Sequence, residues 1–115
     1  MYFKDEEHKE QTFAILNAFG KESVEQDLQY GMLAYIVGAT YKGNHLLKFI
    51  NEYGEIDIDN FYEYMKIFSN TEKSMIRFAF QCYNNAIDDI KLSDVMWSLD
   101  AENTRVIKQA INILY

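Results

Sequence analysis

The apolar residues of this chain recur mostly at intervals of three and four, and short runs of Ser, Asp, Asn and Gly separate the apolar stretches. Such spacing places apolar side chains on one face of an α-helix. The last stretch shows it most clearly, because Ile107, Ala110, Ile111 and Leu114 fall at i, i+3, i+4 and i+7. The chain has no proline, the residue that most strongly interrupts helices. The pattern therefore predicts an all-α protein.

Residues that favour helix N-termini stand before most apolar stretches. The candidate N-caps are Asp5, Ser23, Asn44 or the turn before it, Asp57 or Asp59, Ser69 or one of the two residues after it, Ser93 with Asp94, and Asp100. We expect the third helix to run from His45 to Tyr53, and a brief extended stretch over 55–58. Helices this short do not build a simple four-helix bundle. The prediction is a single compact domain over 1–115, with five to seven short helices in an irregular or orthogonal bundle.

The second helix is apolar on nearly all sides from Tyr30 to Val37, which is typical of a helix surrounded by others. Gly31, Ala34 and Gly38 lie at i, i+3 and i+7 and form a stripe of small residues. The stripe predicts close approach of a neighbouring helix. The alternative is a ligand groove beside the glycines, which would suit a small enzyme or a ligand-binding domain.

Composition narrows the classes of partner. The formal net charge of the 115 residues is −7, which disfavours direct binding to nucleic acid or to anionic lipid. The longest apolar stretch, Tyr30 to Tyr41, is shorter than the ~20 residues of a membrane span. The first residues lack an apolar signal core, and Cys82 is the only cysteine, so an intrachain disulfide cannot form. We expect a soluble, cytoplasmic protein that does not bind membranes.

No residue set has the spacing of a catalytic, nucleotide-binding or metal site. Glu55, Asp57 and Asp59 alternate as in a calcium loop, but Asn60 takes the place of its glycine and Lys66 that of its bidentate glutamate. The two histidines have no second ligand at metal spacing, and we place His8 in a solvated first turn. We expect neither a cofactor nor enzymatic activity.

One segment combines acidic residues with tyrosines. The candidate partner-binding residues are Glu52, Tyr53, Glu55, Asp57, Asp59, Tyr62, Glu63 and Tyr64. Tyrosine tolerates half-exposed interfaces, and the carboxylates would favour a basic protein partner. The same tyrosine-rich helix could instead mediate a homodimer, and helix capping together with core packing would explain the same residues without any partner. Trp97 is expected to anchor the sixth helical segment to the core.

A second acidic cluster follows the fifth helix. It comprises Asp88, Asp89, Asp94, Asp100 and Glu102, with Lys91 as the basic residue among them. If the acidic stretches converged on one face, they could imitate a phosphate backbone and occupy the groove of a nucleic-acid-binding protein or nuclease. An acidic nucleic-acid mimic that inhibits a host defence system is therefore the alternative to a protein-interaction module.

The opening residues Met1-Tyr2-Phe3-Lys4-Asp5-Glu6-Glu7-His8 and the later run Trp97-Ser98-Leu99-Asp100-Ala101-Glu102-Asn103, followed by Ala110-Ile111, carry a family resemblance. They resemble an uncharacterised family of small acidic helical proteins, a domain of unknown function found in Gram-positive bacteria and their prophages. The resemblance implies an origin in a mobile element and a small binder or inhibitor. It implies no activity and offers no functional residues to transfer.

Overall fold

The computed structural model describes residues 1–88 and 90–115, so Asp89 of the second acidic cluster lies outside the described residues. The α-helices are α1 (Glu6–Ala18), α2 (Leu28–Ala39), α3 (Gly43–Leu47), α4 (Ile58–Tyr64), α5 (Asn70–Tyr83), α6 (Leu92–Trp97) and α7 (Ala101–Leu114), and a 3-10 turn follows α4 over Met65–Ile67. Within the described ranges no strand forms, and one isolated antiparallel bridge joins Ile50 to Ile56. The prediction of one all-α domain of five to seven short helices is confirmed.

Helix α2 lies at the centre of the fold and contacts α1, α3, α5 and α7. Its residues from Gly31 to Ala39 are all buried, as the all-round apolar pattern predicts. A Cβ atom at Gly38 would lie 2.7 Å from Thr12 Oγ1 of α1, so glycine is what lets these two helices approach. At Gly31 the neighbour is the loop before α2, because a Cβ atom there would lie 2.2 Å from the carbonyl oxygen of Val24. The stripe is filled by the protein itself.

Four of the predicted N-caps lie where helices begin. The side chains of Asp5, Asp57 and Asp100 accept hydrogen bonds from backbone N–H groups in the first turns of α1, α4 and α7. Ser69 and Glu72 form a reciprocal capping box at the start of α5. These caps satisfy donors that the first turn of a helix leaves without an internal partner.

Three helices begin or end elsewhere than predicted, among them α6, which begins at Leu92 behind Lys91 and not behind Ser93. Ser23 Oγ does accept the N–H of Gln26, at 3.2 Å, but this contact closes a turn, and α2 begins at Leu28 behind the N-cap Asp27. The third helix ends at Leu47 and does not reach Tyr53. Beyond Leu47 the chain bends into a turn held by its own side chains, which competes with helix propagation.

The structure corrects the placement of His8, which is fully buried. Its Nδ1 accepts the backbone N–H of Lys4 at 3.1 Å, so the proton is on Nε2, which donates to the carbonyl oxygen of Tyr35 at 2.8 Å. Both nitrogens of a neutral ring are thereby satisfied. The rings of Phe3 and Tyr35 cover it, with centroids 5.1 and 4.9 Å away. Burial lowers the pKa of His8, because the charged form would lose its hydration.

The segment before α1 is tied to the end of α2 and to α7. Lys4 Nζ donates to the carbonyl oxygen of Ala39 and to Asn103 Oδ1, at 2.9 Å each. The N–H of Tyr2 donates to Gln109 Oε1 at 2.6 Å, and the guanidinium of Arg105 lies 3.9 Å from the centre of the Tyr2 ring. These contacts join the first residues to the end of α2 and to α7.

Candidate protein-binding surface

The segment between α3 and α4 is a tight turn over residues 49–57, called the Tyr53 turn below. Asn51 organises it: its side-chain Oδ1 accepts the backbone N–H groups of Tyr53 and Glu55, both at 2.9 Å, and its own N–H donates to the carbonyl oxygen of Glu55 at 2.9 Å. The N–H of Asp57 donates to the carbonyl oxygen of Phe49 at 2.9 Å and closes the base. The predicted extended stretch is thus reduced to the single bridge between residues 50 and 56.

Tyr53 lies at the tip of this turn with 79% of its surface exposed. Glu52 and Glu55 beside it are exposed as well. Gly54 follows with φ +76°, a conformation that glycine adopts without strain and that the tight tip requires. Because its own hydrogen bonds hold the turn, ordering it against a partner would cost little conformational entropy.

A shallow depression lies on each side of the Tyr53 turn. The larger, of about 380 Å³, is lined by Lys48, Phe49, Ile50, Asn51, Glu55, Ile56 and Asp57. The smaller, of about 200 Å³, is lined by Asn17, Ala18, Phe19, Gly20, Glu52, Tyr53 and Gly54. Both are open to solvent, so they suit side chains of a protein partner better than an enclosed small molecule.

The carboxylates that the sequence singles out in α4 differ in their engagement. Asp57 caps the helix and accepts from the N–H and the side-chain amide of Asn60. Glu63 pairs with Lys66 at 2.9 Å in an exposed ion pair. Asp59 is exposed and takes part in no ion pair among the residues that the structure describes.

Tyr62 and Tyr64 are half-buried and form part of the packing around α4. The ring of Tyr62 contacts Phe80 of α5, with centroids 5.4 Å apart. The hydroxyl of Tyr64 lies 2.7 Å from Nδ1 of His45, and the Lys48 ammonium lies 5.8 Å from the centre of its ring. Among the three predicted tyrosines, Tyr53 alone presents most of its ring to solvent, and we place the candidate surface on the Tyr53 turn.

Trp97 is not anchored in the core: 92% of its surface is exposed. Helix α6 packs on α5, and Val95 is its fully buried residue. Position 97 lies two residues further, about 200° around the helix from position 95. The indole therefore points away from the core. The helical spacing already indicates that positions 95 and 97 face opposite sides of the helix. The sequence prediction instead followed the size and apolarity of tryptophan.

Within 1–88 and 90–115, no three His, Cys, Asp or Glu side chains converge on a position that could hold a metal ion. Burial raises the pKa of the Cys82 thiol to about 12, so the reactive thiolate is scarce at neutral pH. In the same ranges, no helix has both the length and the apolarity needed to cross a bilayer.

Comparisons with protein-family models, with curated proteins and with solved structures found no match for this chain. The family resemblance of its two ends therefore stays a prediction, and the local geometry carries the functional argument.

Proposed function

We propose that this chain is a non-enzymatic protein-interaction module that binds its partner through the Tyr53 turn. The observation that carries the proposal is a tyrosine exposed at the tip of a turn that is held by its own hydrogen bonds. Tyrosine is enriched among residues that dominate binding energy, and a rigid support lowers the entropy cost of binding.

The charges around the tip favour a partner with basic side chains. Glu52, Glu55 and Asp59 are exposed, and none of them forms an ion pair among the described residues. Carboxylates on the rim of an interface steer an oppositely charged partner and add specificity. The net charge of −7 also supports a protein partner, and not nucleic acid itself.

We further propose the cytoplasm as the compartment and a prophage as the origin. The compartment rests on the single, largely buried cysteine, which suits a reducing environment. The origin rests on the resemblance of the two ends of the chain to a family of small prophage proteins.

The test is quantitative capture of partners from a lysate of the organism that carries the gene, with wild type, Tyr53→Ala and Tyr115→Ala compared by mass spectrometry. Tyr115 is the matched control, because 91% of its surface is exposed on another part of the chain. A protein retained by wild type and Tyr115→Ala, but weakened at least about tenfold by Tyr53→Ala, supports the proposal. Equal capture by all three variants contradicts it.

An acidic nucleic-acid mimic is the second candidate, favoured by the exposed carboxylates without ion pairs described above. It predicts binding that falls steeply with salt and is lost when Glu52 and Glu55 are both changed to Lys. The matched control reverses the exposed Glu10 and Glu25. Salt-tolerant binding that depends on Tyr53 favours the aromatic turn, whereas dimerisation abolished by Tyr53→Ala assigns the turn to self-association.

A further inference from the structure

The exposed side of α6 carries the most exposed large apolar side chain among the described residues, Trp97 at 92%. Asp94 lies three residues earlier, so it is the neighbour of Trp97 on the surface of the helix. Ser93 and Asp94 are exposed with it, and the buried Val95 faces the core. Ser93, Asp94, Trp97 and the following Asp100 are called the Trp97 surface below.

The fold does not require an aromatic residue at position 97. Val95 is the buried residue of α6, whereas the indole leaves most of its area in water. Tryptophan is among the residue types most enriched where binding energy is concentrated. An indole that the core does not use is therefore available for contact with a partner.

Charge indicates what covers it. Between positions 86 and 104 the sequence has five acidic residues and one basic residue, Lys91. Neither Asp94 nor Asp100 takes part in an ion pair among the described residues. The next cation along the chain, Arg105, already lies over the ring of Tyr2. An indole with Asp94 beside it on the helix, in an acidic stretch of the chain, attracts a cation and repels anionic lipid and phosphate.

We propose that the Trp97 surface docks an arginine-bearing segment of a partner protein, with the guanidinium stacked on the indole and paired with Asp94. Arginine fits both features because its planar group stacks on aromatic faces and forms paired hydrogen bonds to a carboxylate. Lysine also makes a cation–π contact and pairs with a carboxylate, but its compact charge offers neither the planar stack nor the paired hydrogen bonds of arginine. The surface is separate in sequence from the Tyr53 turn, so this inference does not rest on the proposed function.

The experiment uses the intrinsic fluorescence of the full chain, in which Trp97 is the only tryptophan. Selective excitation of the indole is followed while capped peptides are added that alternate Arg, Lys or Glu with Ser. We expect saturable quenching and a shift of emission with the Arg peptide. Binding of the Lys peptide should be about fivefold weaker, and the Glu peptide should have no effect.

Variants then locate the contact by anisotropy of a dye-labelled Arg peptide. Trp97→Ala should weaken binding about tenfold and Asp94→Asn about threefold. Asp59→Asn removes the same charge elsewhere and, like Tyr53→Ala and Tyr115→Ala, should leave the affinity unchanged. These variants change exposed side chains, so helicity by circular dichroism should be the same in all of them.

Four results would overturn the inference. The first is equal affinity of the Arg peptide for wild type and Trp97→Ala. The second is equal loss from Asp59→Asn and Asp94→Asn, which would indicate general attraction to a negative protein. The third is an emission shift that follows protein concentration without peptide, which would indicate a second copy on the surface. The fourth is loss of peptide binding in Tyr53→Ala but not in Trp97→Ala. It would reject the Trp97 surface and leave the Tyr53 turn as the binding site.

Discussion

The region around His8 and the surface around Trp97 differ in burial, and in each the burial is the opposite of what the residue type suggests. A polar imidazole is fully buried, whereas the largest apolar side chain of the chain is 92% exposed. His8 has a hydrogen-bond partner for each ring nitrogen, so burial leaves no polar atom unsatisfied. Trp97 lies on the wrong side of its helix to reach the core. Position on the helix and the supply of partners decide burial here, and polarity alone does not.

Removing the buried imidazole should have the largest effect. His8→Ala leaves a cavity and removes the acceptor of the Lys4 N–H inside the protein. We expect it to lower the free energy of unfolding by about 3 kcal/mol, measured by urea denaturation. The control is His45→Ala, which changes a partly exposed imidazole and should cost about 1 kcal/mol. Equal losses of unfolding free energy from the two variants would show that the buried, hydrogen-bonded His8 contributes no more to stability than the partly exposed His45.

Tightening the contact between α1 and α2 should have the next largest effect. In Gly38→Ala the new Cβ would lie 2.7 Å from Thr12 Oγ1 and 3.0 Å from the backbone nitrogen of Thr12. We expect a net destabilisation of about 2 kcal/mol, although alanine favours helices more than glycine does. Gly20→Ala is the comparison, because its Cβ would meet open space but its φ is +74°, which costs about 1 kcal/mol. A stabilised Gly38→Ala variant would show that the two helices can move apart.

Lowering the pH should weaken the His8 region next. The pKa of folded His8 is lowered by burial, with Lys4 adding to the effect and the Tyr35 carbonyl and Asp5 opposing it. The unfolded chain therefore takes up this proton at a higher pH than folded His8 does. The contribution of neutral His8 to the free energy of unfolding is thus largest above pH 6.5 and declines as the pH falls below it.

The slope from this one group cannot exceed about 1.4 kcal/mol per pH unit. Urea unfolding of wild type and His8→Gln at pH 7.5 and at pH 5.5 measures this pH dependence. Between the two pH values, the variant should lose less unfolding free energy than wild type. His45, whose pKa is also lowered by desolvation, is controlled with His45→Gln. Hydrogen bonds from the Tyr41 hydroxyl and the His8 N–H lower the pKa of Asp5, so this carboxylate titrates outside the window. Equal losses in wild type and His8→Gln would remove His8 from the explanation.

The smallest effects on stability should come from the exposed aromatic residues. Tyr53→Ala and Trp97→Ala should each change the free energy of unfolding by no more than about 0.5 kcal/mol, because neither side chain fills the core. Thermal and urea unfolding check this. A loss of 2 kcal/mol or more from either variant would show that the side chain packs in solution, and would withdraw it as a binding residue.

Local signals made the helix beginnings predictable from the sequence. Asp5, Ser69 and Asp100 act within three residues of their own position, so a short window of sequence contains the whole interaction. The end of the third helix could not be predicted in the same way. Asn51 satisfies two backbone N–H groups of the Tyr53 turn with one side-chain oxygen, and helix propensity gives no account of that competition.

The burial of His8 was partly visible in the sequence. It lies four residues before Thr12 and seven before Ile15, on the face of α1 that is buried. Extending the apolar face by one turn would have included it, but its polar partners come from Lys4 and from Tyr35 in another helix. The second partner depends on tertiary structure. For the candidate surface, the sequence indicated the segment, and the fold was needed to separate the exposed Tyr53 from the packed Tyr62 and Tyr64.

The central position of α2 bears on how the chain is made. Its nine consecutive buried residues leave the ribosome after α1 but before α5 and α7, which cover much of the rest of its surface. A nascent chain that stops short of α7 leaves part of the apolar helix α2 exposed to solvent, and it becomes a substrate for chaperones or proteases. Premature stop codons between α2 and α7 should therefore yield little surviving product, even when every candidate binding residue has already been translated.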